Sequence, residues 1–573
     1  MRANILCRKC FEGVFMNQAT KTSGVPKTIN FSKFRLKTGW AILLSLILLA
    51  YLLYFQLPIL NLRFLGWVPA LAFVLLPLWG IGKARKALRY IYIAFLIILV
   101  LAPFFSSGLF HAKSYRKLIG DIQSTEFSDL VAPVNMAQVP IIDEAFARSL
   151  AEKKLGEDFA LGSRVNLGDP TIQMVKGKLY WVVPLLHSGF FKWLSNREAG
   201  TPGYIMVSAT NSQDITFVRQ LRGEPLKIRY QRNAFFNKNL KRHLYLNGYT
   251  GIAMAGDTFE LDDDGDPYWT ITVFDHTIGV RAPESLGLAT IQACTGEISY
   301  YPLIKQADGS FSDELIPAWV DRVQPSYFVI PQLDWWGKYV NGFWNTIFGK
   351  RDLLSTTQGY NVIYGNDGQS YFYTGMSSVG ADEGTVGFVL CNTRNKKTAL
   401  YLISGATEYA AMRSAQGKVQ QFEYYATFPI LVNLNDIPTY FMTLKDAAGL
   451  VKMYCFVSVR DFSLVGVGET VKSAREAYLM TLASSQRSAS QNGFLKRETV
   501  TGRISRIATD VKDGRSFYYF SLAEKPGLIF VATSNLSSFL PLSKQDDLVS
   551  IEYVITDETE ININEFINTS LGN

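Results

Sequence analysis

Polar and apolar residues follow two regimes along this chain. Residues 39–60, 64–81 and 90–110 form three apolar runs, none containing Asp, Glu, Lys, Arg or His. Each is apolar around its whole circumference, whereas a helix resting on a soluble core needs only one apolar stripe. At 1.5 Å per residue, each is about long enough to cross a hydrocarbon layer of ~30 Å. The pattern predicts three N-terminal transmembrane helices over 39–110, a leader over 1–38 and a stalk of mixed polarity over 111–140.

After residue 140 the period changes. Asp143 suits the N-cap of a helix in which Ala145, Phe146, Leu150, Ala151 and Leu155 return at helical spacing. Similar helices are expected over 237–246, 407–422 and 469–486, while Pro317 and Pro325 obscure the one before the third repeat. Between the helices one arrangement recurs four times: a strand, a turn, and a strand led by two aromatics. The aromatic pairs are Tyr180 and Trp181, Tyr268 and Trp269, Tyr371 and Phe372, and Tyr440 and Phe441. Their uneven spacing predicts separate α+β modules with loop insertions, arranged as a rod or arc, and not a tight solenoid. The modules are expected over 141–225, 226–310, 311–405 and 406–486. A polar linker then opens a five-stranded segment over 498–573, which predicts a small OB-like β-barrel.

Charge fixes the expected topology. The leader carries Arg2, Arg8, Lys9, Lys21, Lys27, Lys33, Arg35 and Lys37 against Glu12, and the loop between the second and third runs adds Lys83, Arg85, Lys86 and Arg89. The loop between the first two runs holds only Arg63. Positive loops stay on the cytoplasmic side, so the N-terminus is expected inside and everything after residue 110 outside. The net charge of +8 therefore reflects these loops and not a nucleic-acid surface. In the barrel, Arg503, Arg506, Arg515, Tyr518 and Phe520 could form the basic and aromatic face that such barrels turn to nucleic acid. The segment 494–573 nevertheless holds eight basic residues against eleven acidic ones, so no nucleic-acid partner is expected.

Candidate chemistry is sparse. Cys7 and Cys10 form a CxxC in the leader without the further ligands that zinc requires. Cys294, Cys391 and Cys455 sit in apolar runs, as buried free thiols do. The turn Glu260, Leu261, Asp262, Asp263, Asp264, Gly265, Asp266 resembles the front of a calcium loop but has Ile271 where the bidentate Glu belongs. The four histidines have no metal-ligand spacing, and Asp275 with His276 is an isolated dyad. No catalytic set, metal or cofactor is expected.

The order of helix, hairpin with an aromatic strand, and strand ending in Ala293, Cys294, Thr295, Gly296, Glu297, Ile298 resembles the PepSY domain, a small extracytoplasmic module of bacteria. Ala209, Thr210 and Asn211 stand at the matching place in the first repeat, and Asn392 to Asn395 and Val459 to Asp461 in the diverged third and fourth. The resemblance covers roughly residues 140–480. It implies a location at the bacterial cytoplasmic membrane and a role in binding or restraining envelope partners, with no catalytic residues to transfer.

The densest aromatic stretch, 333–351, is expected to be one helix with Trp335, Trp336, Tyr339, Phe343, Trp344, Ile347 and Phe348 on a broad face. It could be core against the neighbouring sheets, a membrane-surface helix flanked by Lys and Arg, or a docking surface. The expected function is a membrane-anchored extracytoplasmic binding or assembly protein. Its partners would be the lipid bilayer and an envelope protein or polymer, and a homo-oligomer is compatible with this. The alternatives are an accessory subunit of a secretion, DNA-transfer or transport complex, and a cell-wall-active enzyme.

Overall fold

A computed structural model of the chain describes residues 37–124, 140–158, 161–365, 367–378, 384–434, 437–488, 497–512, 515–534, 536–554 and 559–571. The leader, with Cys7 and Cys10, lies outside the described residues. Contacts divide the chain into two units, Met1–Gln56 with Val68–Ile98, and Leu57–Trp67 with Leu99–Asn573.

The first unit is helical. Helix α1, Thr38–Tyr51, continues as a wider π turn over Leu52–Gln56. Helix α2, Trp67–Leu75, tightens into a 3-10 turn over Leu76–Gly80, and α3 spans Arg85–Phe105. Two of these apolar helices, Thr38–Gln56 with 19 residues and Arg85–Phe105 with 21, are long enough to cross a membrane. The middle one, Trp67–Gly80, is shorter than the sequence pattern predicts. The preceding residues, Leu57–Trp67, are drawn into the second unit, and Pro77 sits in the tightened last turn. Tyr92 donates to the Ala72 carbonyl at 2.7 Å and so ties α3 to α2.

The second unit is mostly β. Helix α4, Gly108–Arg116, leads to a short strand, Ile122–Ser124, and α5 spans Glu144–Gly156. Asp143 caps α5 by accepting from the Phe146 N–H at 2.9 Å. The first sheet runs Val165–Leu167, Lys178–His187, Tyr204–Ser208, Ile215–Val218, with Thr171–Val175 also pairing with Lys178–His187. After the short α6, Phe190–Asn196, which interrupts this sheet, comes α7, Leu240–Leu246, capped by Asn239. The second sheet is the meander Ala253–Leu261, Pro267–Ile278, Arg281–Gln292, Ile298–Pro302. Helices α8, Ser326–Lys338, and α9, Gly342–Trp344, precede the third sheet. There Leu354–Thr356 and Asn361–Tyr364 share the edge of Ser370–Ser378, followed by Gly387–Asn392 and Thr398–Tyr401. Helix α10, Glu408–Lys418, capped by Thr407, precedes the fourth sheet. In it Tyr425–Ala426 and Ile430–Leu434 share the edge of Ile437–Lys445, followed by Val451–Ser458 and Val465–Gly468.

One backbone device recurs in all four sheets. The residue after the third long strand is Ala209, Ala293, Thr393 or Val459. Its carbonyl accepts from the segment just before the repeat's helix: Ile141 and Ile142, Arg229 and Tyr230, Val323 and Gln324, or Ala406. In the first two repeats an indole reinforces the joint, Trp181 donating to the Ile142 carbonyl at 2.8 Å and Trp269 to the Tyr230 carbonyl at 2.9 Å. This accounts for the aromatic pairs. Successive strand residues face opposite sides of a sheet, so one ring of each pair enters each flanking layer. Tyr371 and Tyr440 fill the core around α10, while Phe372 faces α8 and Phe441 faces α11, Val471–Ser488.

The modules are not separate. Helix α7 is buried between the first and second sheets, through Leu240 and Leu244 against Tyr204 and Trp269. Helix α10 is buried in the same way between the third and fourth, through Ala411 and Ala415. Nor do the repeats run out as a rod or arc, because the fourth sheet returns to the first helix. Lys445 Nζ meets both carboxylate oxygens of Asp143 at 2.6 Å. The expected stalk is also not one over its described part. Tyr115 and Leu118 are buried, and Ile122–Ser124 pairs in parallel with Thr398–Leu400 of the third sheet.

The C-terminal strands close into a five-stranded barrel in the order Arg497–Lys512, Arg515–Leu522, Ile529–Thr533, Glu560–Asn568, Leu548–Val554. The first strand shifts register between Ile504 and Arg506, so its first part pairs with Leu548–Val554 and its second with Arg515–Leu522.

Candidate functional site

Where the fourth sheet returns to α5, a cleft of about 590 Å³ opens between the first, third and fourth sheets. Its walls are apolar and aromatic, with Ile172, Trp181, Tyr360 and Phe428, and its polar groups are Asp143, Glu144, Arg148 and Arg322. Asp143 is already engaged by Lys445 and by the α5 backbone. Burial, with Asp169 nearby, holds the Glu144 carboxyl above its ordinary value, while Arg322 and Arg148 pull the other way. Arg322 Nε is buried with no hydrogen-bond partner. A guanidinium in the wall of such a cleft favours a carboxylate or carbonyl brought by a ligand. Among the described residues the lining contains no His, Cys or Ser, and Asn361, Thr427 and Thr443 add polar side chains.

Beside the cleft, a buried carboxyl pair joins the first three repeats. Glu260 accepts from the Asp321 N–H at 2.8 Å and from the Thr270 hydroxyl at 3.2 Å. Asp321 accepts from the Met174 N–H and the Tyr364 hydroxyl, each at 3.0 Å. Burial, with the facing Asp321 carboxyl, pushes Glu260 up to about 8, and burial raises Asp321 as well. Gln173 completes the joint, donating to the Phe259 carbonyl and accepting from the Leu261 N–H. The sequence grouped Glu260 with the acidic turn, but the fold turns it inward, away from Asp262, Asp264 and Asp266. The turn is held internally, Asp262 accepting from the Asp264 and Asp266 N–H groups and Arg222 pairing with Asp266. Among the described residues, no three His, Cys, Asp or Glu side chains group closely enough to hold a metal.

The aromatic stretch splits. Tyr339 and Asn341 leave helical geometry and Gly342 has φ +80°, so α8 ends at Lys338 and the single helix expected over 333–351 is not formed. Leu333 and Tyr339 are buried, Trp335 packs on Tyr115 at 4.8 Å, and Arg116 lies over the Trp336 ring at 5.1 Å. Phe343 lines the same cluster. Trp344, Ile347 and Phe348 instead stay 62, 48 and 78 % exposed.

The remaining candidates have structural partners. Asp275 and His276 hold the loop between α1 and α2: Arg63 pairs with Asp275 at 2.9 Å, and the His276 ring stacks on Phe64 at 4.4 Å. No sequence signal marked that role. His187 is buried with Nε2 unpartnered, and burial lowers it to about 4. Cys294, Cys391 and Cys455 are free thiols, and burial pushes Cys391 up to about 11. In the barrel Phe520 lies in the core, so the basic and aromatic face drawn from Arg503, Arg506, Arg515, Tyr518 and Phe520 is not assembled.

No family model matches the chain and no curated protein matches it. Among solved structures, the sialidase of Trypanosoma rangeli in complex with the inhibitor DANA is aligned at 9% identity over 71% of this chain, with a TM-score of 0.14. The chain spans about half (55%) of the length of that structure. At that level of superposition the likeness carries no argument about fold or chemistry.

Proposed function

We propose that the chain is a membrane-anchored, extracytoplasmic binding and assembly protein, whose PepSY-like repeats hold an envelope protein or polymer in the cleft between the first, third and fourth sheets. The observation that carries this reading is the cleft itself: a cavity of about 590 Å³ whose walls combine aromatic and aliphatic side chains with charged ones, Arg322 among them. The repeated backbone joint at Ala209, Ala293, Thr393 and Val459 supports descent from one repeating unit. The barrel is of the OB-like kind, with its third and fifth strands parallel.

The topology is three crossings of a bacterial cytoplasmic membrane with the N-terminus inside. In support, Leu57–Trp67 and the chain from Leu99 onward both belong to the second unit, while the basic loop containing Lys83, Arg85, Lys86 and Arg89 belongs to the first. Photo-crosslinking in intact cells tests the function. A photoreactive residue at Asn361 should capture one partner, and Arg322→Ala should abolish that capture. Equal labelling from Asn361 and from the exposed Leu402 would sink the proposal.

A further inference from the structure

Within the second unit, two groups of exposed aromatic side chains lie on segments that α4 links. The last turns of α3, from Leu99, belong to this unit, and the helix ends at Phe105. Phe104, Phe105 and Phe110 pack on one another at 5.4–5.5 Å and remain about half exposed. Helix α4 starts three residues later and packs directly on α9. Gly108 lies so close to Tyr339 that any Cβ there would strike its hydroxyl. The segment beginning at Gly342 is therefore held against α4. From it project Trp344 and Phe348, stacked at 5.9 Å, and Ile347. Lys350 and Arg351, both exposed, follow immediately.

We infer that Trp344, Ile347 and Phe348 form a hook that inserts into the interfacial layer of the bilayer that α3 crosses, with Lys350 and Arg351 at the lipid phosphates. The inference rests on the membrane reading above and adds a second, non-spanning attachment to it. Aromatic rings with an adjoining basic pair are the composition that suits the headgroup boundary. The break at Gly342 gives the hook its purpose. A continuous helix would carry Trp344 onward along α8, whereas the turn sets α9 against α4, which starts three residues after α3 ends. A bilayer is favoured over a protein partner because α4, on which α9 packs, begins three residues after the end of a helix of membrane-spanning length.

The test uses the full chain in vesicles of phosphatidylcholine and phosphatidylglycerol whose acyl chains carry bromine either near the headgroup or near the chain end. The difference in emission between the wild-type protein and Trp344→Phe isolates Trp344. It should be quenched more by the shallow bromines than by the deep ones, and Phe348→Asp should shift it to the red. The emission remaining in Trp344→Phe includes Trp40 and Trp79, near the ends of two apolar helices, and should also be quenched by the brominated lipids. If that remainder is quenched and the Trp344 component is not, the hook is refuted while the membrane reading survives. If neither is quenched, both fall. Crosslinking of Phe348→Cys to a second copy in the same vesicles, with no lipid quenching of Trp344, would assign the patch to self-association and overturn the proposal.

Discussion

Lys445 and Asp143, 302 residues apart, form the ion pair that brings the fourth sheet back to the first helix. The lysine is buried, while about a third of the Asp143 side chain remains exposed. Asp143 also caps α5, so a single carboxylate serves a helix terminus and a long-range contact.

The two partners should therefore respond differently to removal. Asp143→Ala strands a buried ammonium and uncaps a helix, with an expected loss of about 3–5 kcal/mol. Lys445→Met leaves a carboxylate that water and the α5 backbone still satisfy, and should cost about 1–2 kcal/mol, below the usual range for a fully buried pair. Denaturant unfolding of both single variants and the double variant checks this. Equal losses would mean that the helix cap contributes nothing.

Glu260 makes stability depend on pH. Its folded value is about 8 against an ordinary 4.5, so the native state keeps a proton that the unfolded chain releases above about 4.5. The stabilisation is complete below about 4.5 and is lost as pH rises through about 8, with Asp321 acting in the same direction. Glu260→Gln keeps the acceptor for the Asp321 N–H and removes the titration. Its melting temperature relative to wild type should rise between about pH 5 and pH 9. A constant difference across that range would count against a protonated Glu260.

The local layout of the repeats was legible in the sequence. The cap Asp143, the two-residue alternation and the paired aromatics are all signals carried within a few residues. Helix α8 was obscured because Pro325, read as a breaker, acts as its N-cap, and Pro331 is accommodated inside it. The return of the fourth sheet had no local sign, since a lysine in a strand looks like an exposed residue until its distant partner is known. The cleft was hidden for the same reason: Arg322 lies in a connector, and its surroundings come from three sheets. The aromatic stretch was half legible. Its composition announced burial and exposure together, and the positive φ at Gly342 decides which rings receive which.

Gly466 should tolerate no side chain. It lies in Val465–Gly468, and a Cβ on it would collide with the Tyr478 backbone, so α11 approaches the fourth sheet closely because this residue is glycine. Gly466→Ala should push the helix outward and cost about 2–3 kcal/mol by overpacking. Gly417→Ala, on α10 with open space around its Cβ position, should be neutral or slightly stabilising. Thermal unfolding of the two variants side by side separates a packing constraint from a general intolerance of alanine.

The indole joints of the first two repeats can be tested against the repeats that lack them. Trp269 is fully buried and its Nε1 donates to the Tyr230 carbonyl, whereas the matching position in the third sheet is Phe372 and in the fourth is Tyr440, whose hydroxyl donates to the Ala406 carbonyl at 2.9 Å. The third sheet shows that a phenyl ring fits the layer, so Trp269→Phe should lose chiefly the hydrogen bond, about 1–2 kcal/mol. Trp269→Ala empties a site packed against Phe259 at 5.1 Å and should cost about 3–5 kcal/mol. If the phenylalanine variant proved as damaging as the alanine one, ring volume and not the shared backbone joint would be what the second repeat requires. Hydrogen exchange at Arg229 and Tyr230, whose N–H groups donate to the Ala293 carbonyl, would report directly on whether the joint had opened.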